Sequence, residues 1–359
     1  MKEKVVVGMS GGVDSSVAAY LLKEQGYDVT GVTMQIWQEQ DVQTAEQEGG
    51  CCGLSAVEDA RRVAAQLHIP HYVMNFRQPF KERVIDYFIA EYRLGRTPNP
   101  CIACNRYVKW ESLLQRSLGI GADYIATGHY AKIAKLSNGR YALRPSASAK
   151  KDQTYALYNL TQEQLAHTLF PIGAYTKEQI RAIAAQMGLS TAHKPDSQEI
   201  CFVPDNDYAA FISRSTGERE PTGNFVAADG TILGQHKGIS HYTIGQRKGL
   251  GLSFGKPVFV TSIRPDTNEV VLGEHEDLMV TELEAGHMNY MARPQLDQGE
   301  RLTAKIRYSH QGASCVVTDI LDHGNRIRLR FDEPVRAVTP GQAVVLYEDG
   351  YVAGGGTII

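Results

Sequence analysis

Lys4-Val5-Val6-Val7-Gly8, followed at once by Met9-Ser10-Gly11-Gly12-Val13-Asp14-Ser15-Ser16, sets a short apolar run against a loop of glycine and serine. Such a run, closed by glycine, is the signature of a strand buried on both faces, as in parallel sheets. Past the loop, Val13, Val17, Tyr20 and Leu21 fall on one helical face over residues 14–25, and Gly26 supplies a stop. A strand that passes through a glycine loop into a helix brings backbone N–H groups and the positive end of the helix to one spot, which suits an anion. Ser10, Ser15 and Ser16 add hydroxyl donors, and Asp14 can hold Mg²⁺ or cap the helix. The loop has neither the Gly-Lys-Ser/Thr of a Walker A loop nor the G-x-G-x-x-G order of a dinucleotide fold. A glycine-rich turn with no ligand is the bland alternative.

Working outward, residues 27–37 read as a second strand and residues 55–67 as a helix opened by a Ser55/Glu58 capping box. Residues 80–95 and 107–117 read as helices, and residues 124–128 as another short buried strand. This alternation predicts an α/β fold, a Rossmann-like doubly wound parallel sheet. Met34 and Gly128, at strand ends, then lie where such a sheet offers its ligand crevice. Residues 133–144 carry an Asn138-Gly139 hairpin signal, and capping boxes Thr161/Gln164 and Thr176/Gln179 open two further helices. Beyond about Asp205 glycine becomes dense, and the short runs VFVTSI, EVVLGE, TAKIRYSH, SCVVTDIL, NRIRLRF and AVVLYE replace helical patterns. The expected organisation is an α/β domain at 1–205, a small mostly β linking domain at 206–280 and a β-barrel at 281–359.

The 359 residues are 43% hydrophobic and 21% charged, with six cysteines and a formal net charge of −3. These proportions exclude a disordered chain, a collagen-like repeat and a disulfide-stapled miniprotein. No apolar run is long enough to span a membrane, and the first residues lack a signal peptide's h-region, so a cytoplasmic protein with reduced thiols is expected. A charge of −3 gives no global support for nucleic-acid binding, yet averaging hides local structure. Between His129 and Tyr155 six basic residues (Lys132, Lys135, Arg140, Arg144, Lys150, Lys151) face one acid, Asp152, a local charge of +5. Alternation also places Lys305 with Arg307, and Arg326, Arg328 and Arg330 together, on outward faces of strands. Such stripes suit phosphates or are simply solvated.

Cys101 and Cys104 sit in Thr97-Pro98-Asn99-Pro100-Cys101-Ile102-Ala103-Cys104. The prolines predict an extended loop ahead of a helix near Tyr107, whose positive end would favour a thiolate. Cys201 lies in Asp196-Ser197-Gln198-Glu199-Ile200-Cys201-Phe202. Zinc ligation, core burial and a reactive cysteine pair are the competing readings. Cys51, Cys52 and Cys315 receive no chemistry.

The loop GMSGGVDSS resembles the SGGxDS loop of the ATP pyrophosphatases, which grips the pyrophosphate of ATP while AMP is transferred. Taken with GRTPNPCIACN, ATGHYAKI, KDQTYALY, DSQEICF, GQRKGLG and FDEPVRAVTPGQAVVLYEDG, in that order, it makes the chain resemble the bacterial tRNA-specific 2-thiouridylases (the MnmA/TrmU family) over nearly its whole length. The resemblance implies replacement of the C2 oxygen of the tRNA wobble uridine by sulfur. It implies ATP and Mg²⁺ as cofactors, tRNA as substrate, and a sulfur-relay protein or cysteine desulfurase as donor.

By the same resemblance, Cys201 carries the persulfide and Cys104 is the second catalytic cysteine. ATP contacts fall on Gly8, Met9, Ser10, Gly11, Gly12, Val13, Asp14, Ser15, Met34 and Gly128. The target-base segment falls on Asn99, Pro100 and Cys101, and tRNA contacts on His129, Lys151, Asp152, Gln153, Arg307, Tyr308 and Gln342. Many members carry Asp where this chain has Cys101, so the third thiol opens an alternative. Cys101, Cys104 and Cys201 could hold a [4Fe–4S] cluster that uses sulfide. More distant alternatives are another ATP-dependent synthetase with this loop, or a non-enzymatic thiol or Fe–S binding module.

Overall fold

The structure, a computed structural model, describes residues 2–36, 54–192, 194 and 200–359; Trp37, Cys51, Cys52 and the Asp196-Ser197-Gln198-Glu199 part of the cysteine motif lie outside the described residues. It divides into two compact units, one formed by Met1–Ile85, Cys101–Asn206 and Asp349–Val352, the other by Asp86–Pro100, Asp207–Glu348 and Ala353–Ile359.

The first unit holds strands β1 (Lys4–Gly8), β2 (Asp28–Gln35), β3 (His71–Asn75) and β4 (Tyr124–Thr127), an antiparallel hairpin β5 (Ala131–Lys135) and β6 (Tyr141–Pro145), and the two-residue β7 (Thr168–Leu169). The main sheet is parallel, in the order β3-β2-β1-β4-β7. Val5, Val6 and Val7 are all buried, the reason this strand reads as an unbroken apolar run. The chain leaves β1 toward β2 on one side, while β4 joins on the other, so the switch point of the sheet lies between β1 and β4.

Helix α1 (Val13–Glu24) packs Val13, Val17, Ala18 and Leu21 into the same core as Val5, Val7, Val63, Ile180 and Ala184, and Gly26 stops it at φ +93°. Helix α2 (Leu54–Gln66) is already running at Leu54, so Ser55 lies inside its first turn rather than at an N-cap. The Asn138-Gly139 hairpin forms as expected, with Gly139 at φ +81°. Both later capping boxes are present: Thr161 and Gln164 open Gln162–Ala166, and Thr176 and Gln179 open α3 (Lys177–Gln186).

The cysteine segment differs from expectation. Instead of an extended loop before a helix near Tyr107, the helix begins at Pro100, runs through Pro100–Ala103, widens into a π-helical stretch at Cys104–Leu113 and ends as Leu114–Gly119. Proline suits a first helical position, where its fixed φ is right and its missing N–H has no helical partner to lose. The helix over Arg77–Arg93 likewise contains a π segment, Lys81–Ile85.

In the second unit a helix, Tyr208–Thr216, leads to strands β8 (Gly223–Val226), β9 (Ile232–His236), β10 (Phe259–Arg264) and β11 (Glu269–Gly273), ordered β10-β11-β8-β9 around Phe225, Tyr242, Val260, Val270 and Leu272. The glycine density between β9 and β10 is turn chemistry: Gly238, Gly245, Gly249, Gly251 and Gly255 all have positive φ. Strands β12 (Met279–Tyr290), β13 (Arg301–Lys305), β14 (Ala313–Leu321), β15 (Arg326–Arg336), β16 (Ala343–Glu348) and β17 (Tyr351–Ile358) close an antiparallel barrel in the order β12-β15-β14-β13-β16-β17. Among the described residues, no helix is long and apolar enough to cross a membrane.

Candidate active site

The phosphate-type loop is an extension of β1. The Met9 N–H donates to the Val32 carbonyl and its side chain is core, while the Thr33 hydroxyl donates to the Met9 carbonyl at 2.8 Å. Gly11 has φ +68°, and a Cβ there would lie 2.3 Å from the Ala56 carbonyl oxygen, so no other residue fits. The Ser15 and Ser16 hydroxyls donate to the Gly12 carbonyl at 3.2 and 2.8 Å, and Ser15 accepts from the Ser10 N–H at 3.2 Å. These bonds brace the loop from within. Gly12 is the N-cap of α1 and offers no side-chain cap, which leaves first-turn amides for an anion.

Asp14 does not cap the helix. Its carboxylate accepts from the Tyr130 hydroxyl at 2.8 Å and from the Lys177 ammonium at 2.8 and 2.9 Å. Lys177 is buried in the first turn of α3, where the helix dipole disfavours a cation, so it needs this carboxylate. Sequence reasoning missed Lys177; the signal was a lysine at the first position after a capping box, a cation at the wrong helix end. Lys194 donates to Asp59 at 2.8 Å and to the Gly11 carbonyl at 3.3 Å, bracing the loop from its other side.

At the end of β4, a Cβ on Gly128 would sit 2.7 Å from the backbone of Asp14 and of Ser15; glycine there lets the strand end close on α1. Met34 is half-buried at the carboxyl end of β2. His129 is buried between Trp110 and Phe170, and burial holds its pKa well below the usual histidine value, with the Lys109 charge adding to the effect.

The Lys151-Asp152-Gln153 segment is mostly internal bracing. Asp152 accepts from the Ser146 N–H at 3.0 Å and the Thr154 hydroxyl at 2.5 Å. Gln153 accepts from the Tyr130 N–H at 2.8 Å, which orients the phenol that reaches Asp14. Lys151 is half-exposed at the end of a short 3₁₀ turn.

Cys101 is exposed in the first turn of its helix, and Cys104 is half-buried one turn on. Cys201 is half-buried and held by its neighbours: Phe202 packs edge-on against Phe80 with centroids 5.7 Å apart, and Val203 is fully buried. Cys315 is core, its thiol pushed up to about 12 by burial. Among the described residues no three His, Cys, Asp or Glu side chains gather to hold a metal ion. Cys101, Cys104 and Cys201 thus do not form a cluster site in this arrangement. Asp14, the carboxylate of the loop, is engaged by Lys177.

In the second unit, Asn99 is half-buried between the buried Pro98 and Pro100. Thr97, two residues earlier, is bracketed by the barrel. Its N–H donates to the Pro340 carbonyl at 2.9 Å, and its carbonyl accepts from the Gln342 carboxamide at 2.8 Å. The arginine stripe is an ionic lattice rather than an open basic face. Arg326 pairs with Asp322 and Glu284, and Arg328 with Glu284 and Asp319, while Ile327, Leu329 and Phe331 point inward as expected. Arg330 stays exposed, opposite Glu282. The Arg307 guanidinium donates to the Arg336 carbonyl at 2.9 Å, and Tyr308 is 47% exposed.

A parallel sheet with a glycine–serine loop at its switch point, running into a helix with no side-chain cap, defines an α/β domain of the HUP class. The family profile described as "tRNA methyl transferase HUP domain" matches residues 3–205, "tRNA methyl transferase PRC-barrel domain" residues 209–274 and "Aminomethyltransferase beta-barrel domain" residues 280–358. Similar proteins named tRNA-specific 2-thiouridylase MnmA include one from Lachnoclostridium phytofermentans, 65% identical over 99% of each chain, and one from Clostridium kluyveri, 58% identical over 100% of this chain and 99% of that one. Another, from Clostridioides difficile, is 58% identical over 100% of this chain and 98% of that one. The chain belongs to the tRNA-specific 2-thiouridylase MnmA family.

Proposed function

We propose that this protein catalyses ATP-dependent 2-thiolation of the wobble uridine of tRNA. The observation that carries the reading is the braced SGGVDS loop at the β1/β4 switch point, in the same unit as a helix bearing Cys101 and Cys104 and a core-anchored Cys201. ATP binds with its phosphates on the loop amides and the first turn of α1. The uracil O2 attacks the α-phosphorus, and the bond to the bridging oxygen breaks as pyrophosphate leaves. The C2 oxygen is now part of an AMP leaving group. Cys201 holds a persulfide received from a sulfur-relay protein or cysteine desulfurase. The Cys104 thiolate attacks the inner sulfur, forming a Cys104–Cys201 disulfide and releasing hydrosulfide. Hydrosulfide adds at C2 and expels AMP, and an external dithiol then reduces the disulfide. Mg²⁺ enters with the nucleotide, bound to its phosphates.

In this reading residues 1–205 form the ATP and sulfur domain, 206–280 the linking domain and 281–359 a tRNA-binding barrel. Asn99 has the donors and acceptors to read a uracil edge. The test is a reaction of purified, iron-free protein with ATP, a persulfide donor and unmodified tRNA, followed by nucleoside mass spectrometry. The reading expects 2-thiouridine with AMP and pyrophosphate; turnover only after iron reconstitution would instead support the cluster route.

A further inference from the structure

A chain of hydrogen bonds runs from the carboxyl end of β4 to the cysteine helix, within the first unit. Thr127 Oγ1 lies 2.7 Å from His129 Nδ1, His129 Nε2 lies 3.3 Å from Lys109 Nζ, and Lys109 donates to Asn105 Oδ1 at 2.9 Å. Asn105 is buried, and its own amide is fixed by the Ala156 carbonyl at 2.9 Å. An ammonium can only donate, so Nε2 is the acceptor, and Nδ1 carries the proton and donates to Thr127. The imidazole is therefore held neutral in a fixed orientation, walled by Trp110 and Phe170; the Trp110 indole is itself tied to Thr168 at 2.7 Å.

Lys109 is the end point of this construction. It is half-buried, both of its acceptors are neutral, and no carboxylate pairs with it among the described residues. Lys177 and Lys194, which contact Asp14 and the Gly11 carbonyl, each have an aspartate. A partly desolvated cation without a counter-ion is unfavourable unless an anion completes it. Its place identifies the anion. His129 directly follows Gly128, whose Cα lies against the Asp14–Ser15 backbone at the start of α1.

We propose that Lys109 is an anion-binding residue of the adenylation step, engaging a phosphate oxygen of bound ATP, with Thr127, His129 and Asn105 as its positioning residues. This rests on the thiolation reading above. Lys109 supplies positive charge as the uracil O2–phosphorus bond forms and the bond to pyrophosphate breaks; no proton leaves it, and the electron pair departs with pyrophosphate. Asn105 and Lys109 share a helix with Cys104, so one element presents both the nucleotide cation and the sulfur nucleophile.

The test compares wild type with Lys109→Met and Lys109→Arg. It measures AMP release with unmodified tRNA, ATP dissociation, tRNA dissociation and melting temperature. Lys109→Met should lower AMP release per folded molecule about 100-fold, as loss of a preorganised charge does. It should leave tRNA affinity within about 3-fold, because a lost tRNA-phosphate contact would act there instead. Lys109→Arg should recover part of the loss. Unchanged AMP release per folded molecule overturns the proposal, as does a defect confined to tRNA affinity, which would place a tRNA phosphate on Lys109. Wild-type protein that releases no AMP with tRNA overturns the thiolation reading itself.

Discussion

The Lys177 ammonium lies 2.8 Å from one oxygen of Asp14 and 2.9 Å from the other, joining two residues 163 positions apart in sequence. Lys177 is nearly fully buried and Asp14 half-buried. Removing one partner strands the other's charge, so Lys177→Met should cost about 2 kcal/mol of stability and weaken ATP binding. Adding Asp14→Asn to Lys177→Met should recover part of that stability, because both charges are then gone. Urea midpoints of the four proteins check this; a double variant as unstable as the summed singles would show that the pair is not coupled.

Gly128 makes a second prediction. A methyl group there would press on the backbone of Asp14 and Ser15 from 2.7 Å, and backbone cannot rotate away. Gly128→Ala should cost about 1–3 kcal/mol and displace the first turn of α1. ATP affinity should fall, while tRNA affinity, measured by filter binding, should not.

The buried histidine sets a pH dependence. Burial holds the His129 pKa well below 6.5 in the folded protein, while the unfolded chain takes up its proton near 6.5. Below about pH 6.5 the unfolded state therefore binds more protons, and stability falls as pH falls, by about 1.4 kcal/mol per unit for this one group. His71, its pKa also lowered by burial, adds in the same direction. His129→Gln should be less stable at neutral pH yet show a flatter stability profile between pH 7 and 5. Parallel profiles would contradict the assignment of the slope to His129.

Gln342 reads in two ways that a salt titration separates. Its carboxamide donates to the Thr97 carbonyl, holding the segment that leads to Asn99 and Pro100. Gln342→Ala should slow thiolation about 5-fold through loss of one hydrogen bond, with tRNA affinity and its salt slope unchanged. A shallower salt slope would make Gln342 a tRNA contact instead.

What was legible in the sequence was what short-range chemistry determines. The β1–loop–α1 unit and the Thr161/Gln164 and Thr176/Gln179 boxes formed where their local patterns placed them. Strands β12 and β17 are hidden in sequence, because their glycines look like breakers. A Cβ at Gly354 would meet the Asn289 carbonyl oxygen at 2.6 Å and one at Gly356 the Gly286 carbonyl oxygen at 2.6 Å, so these glycines let the two strands close the barrel. The arginines of β15 looked like a phosphate stripe because Glu284, which neutralises two of them, comes from another strand. Pro100 is ambiguous in sequence because proline marks extended chain and helix starts alike, and here it starts a helix. Lys109 passed unnoticed because its importance lies in the company of His129 and Asn105, a relationship that appears only after folding.

The central claim is that Cys104 and Cys201 pass sulfur to a uridine activated by the ATP loop. Its most direct measurement is 2-thiouridine formed by wild type, Cys104→Ser and Cys201→Ser with ATP, persulfide donor and unmodified tRNA, quantified by nucleoside mass spectrometry. The account predicts stoichiometric 2-thiouridine with wild type and none with either variant, while both variants bind tRNA with near-normal affinity. Robust 2-thiouridine formation by either serine variant would contradict it.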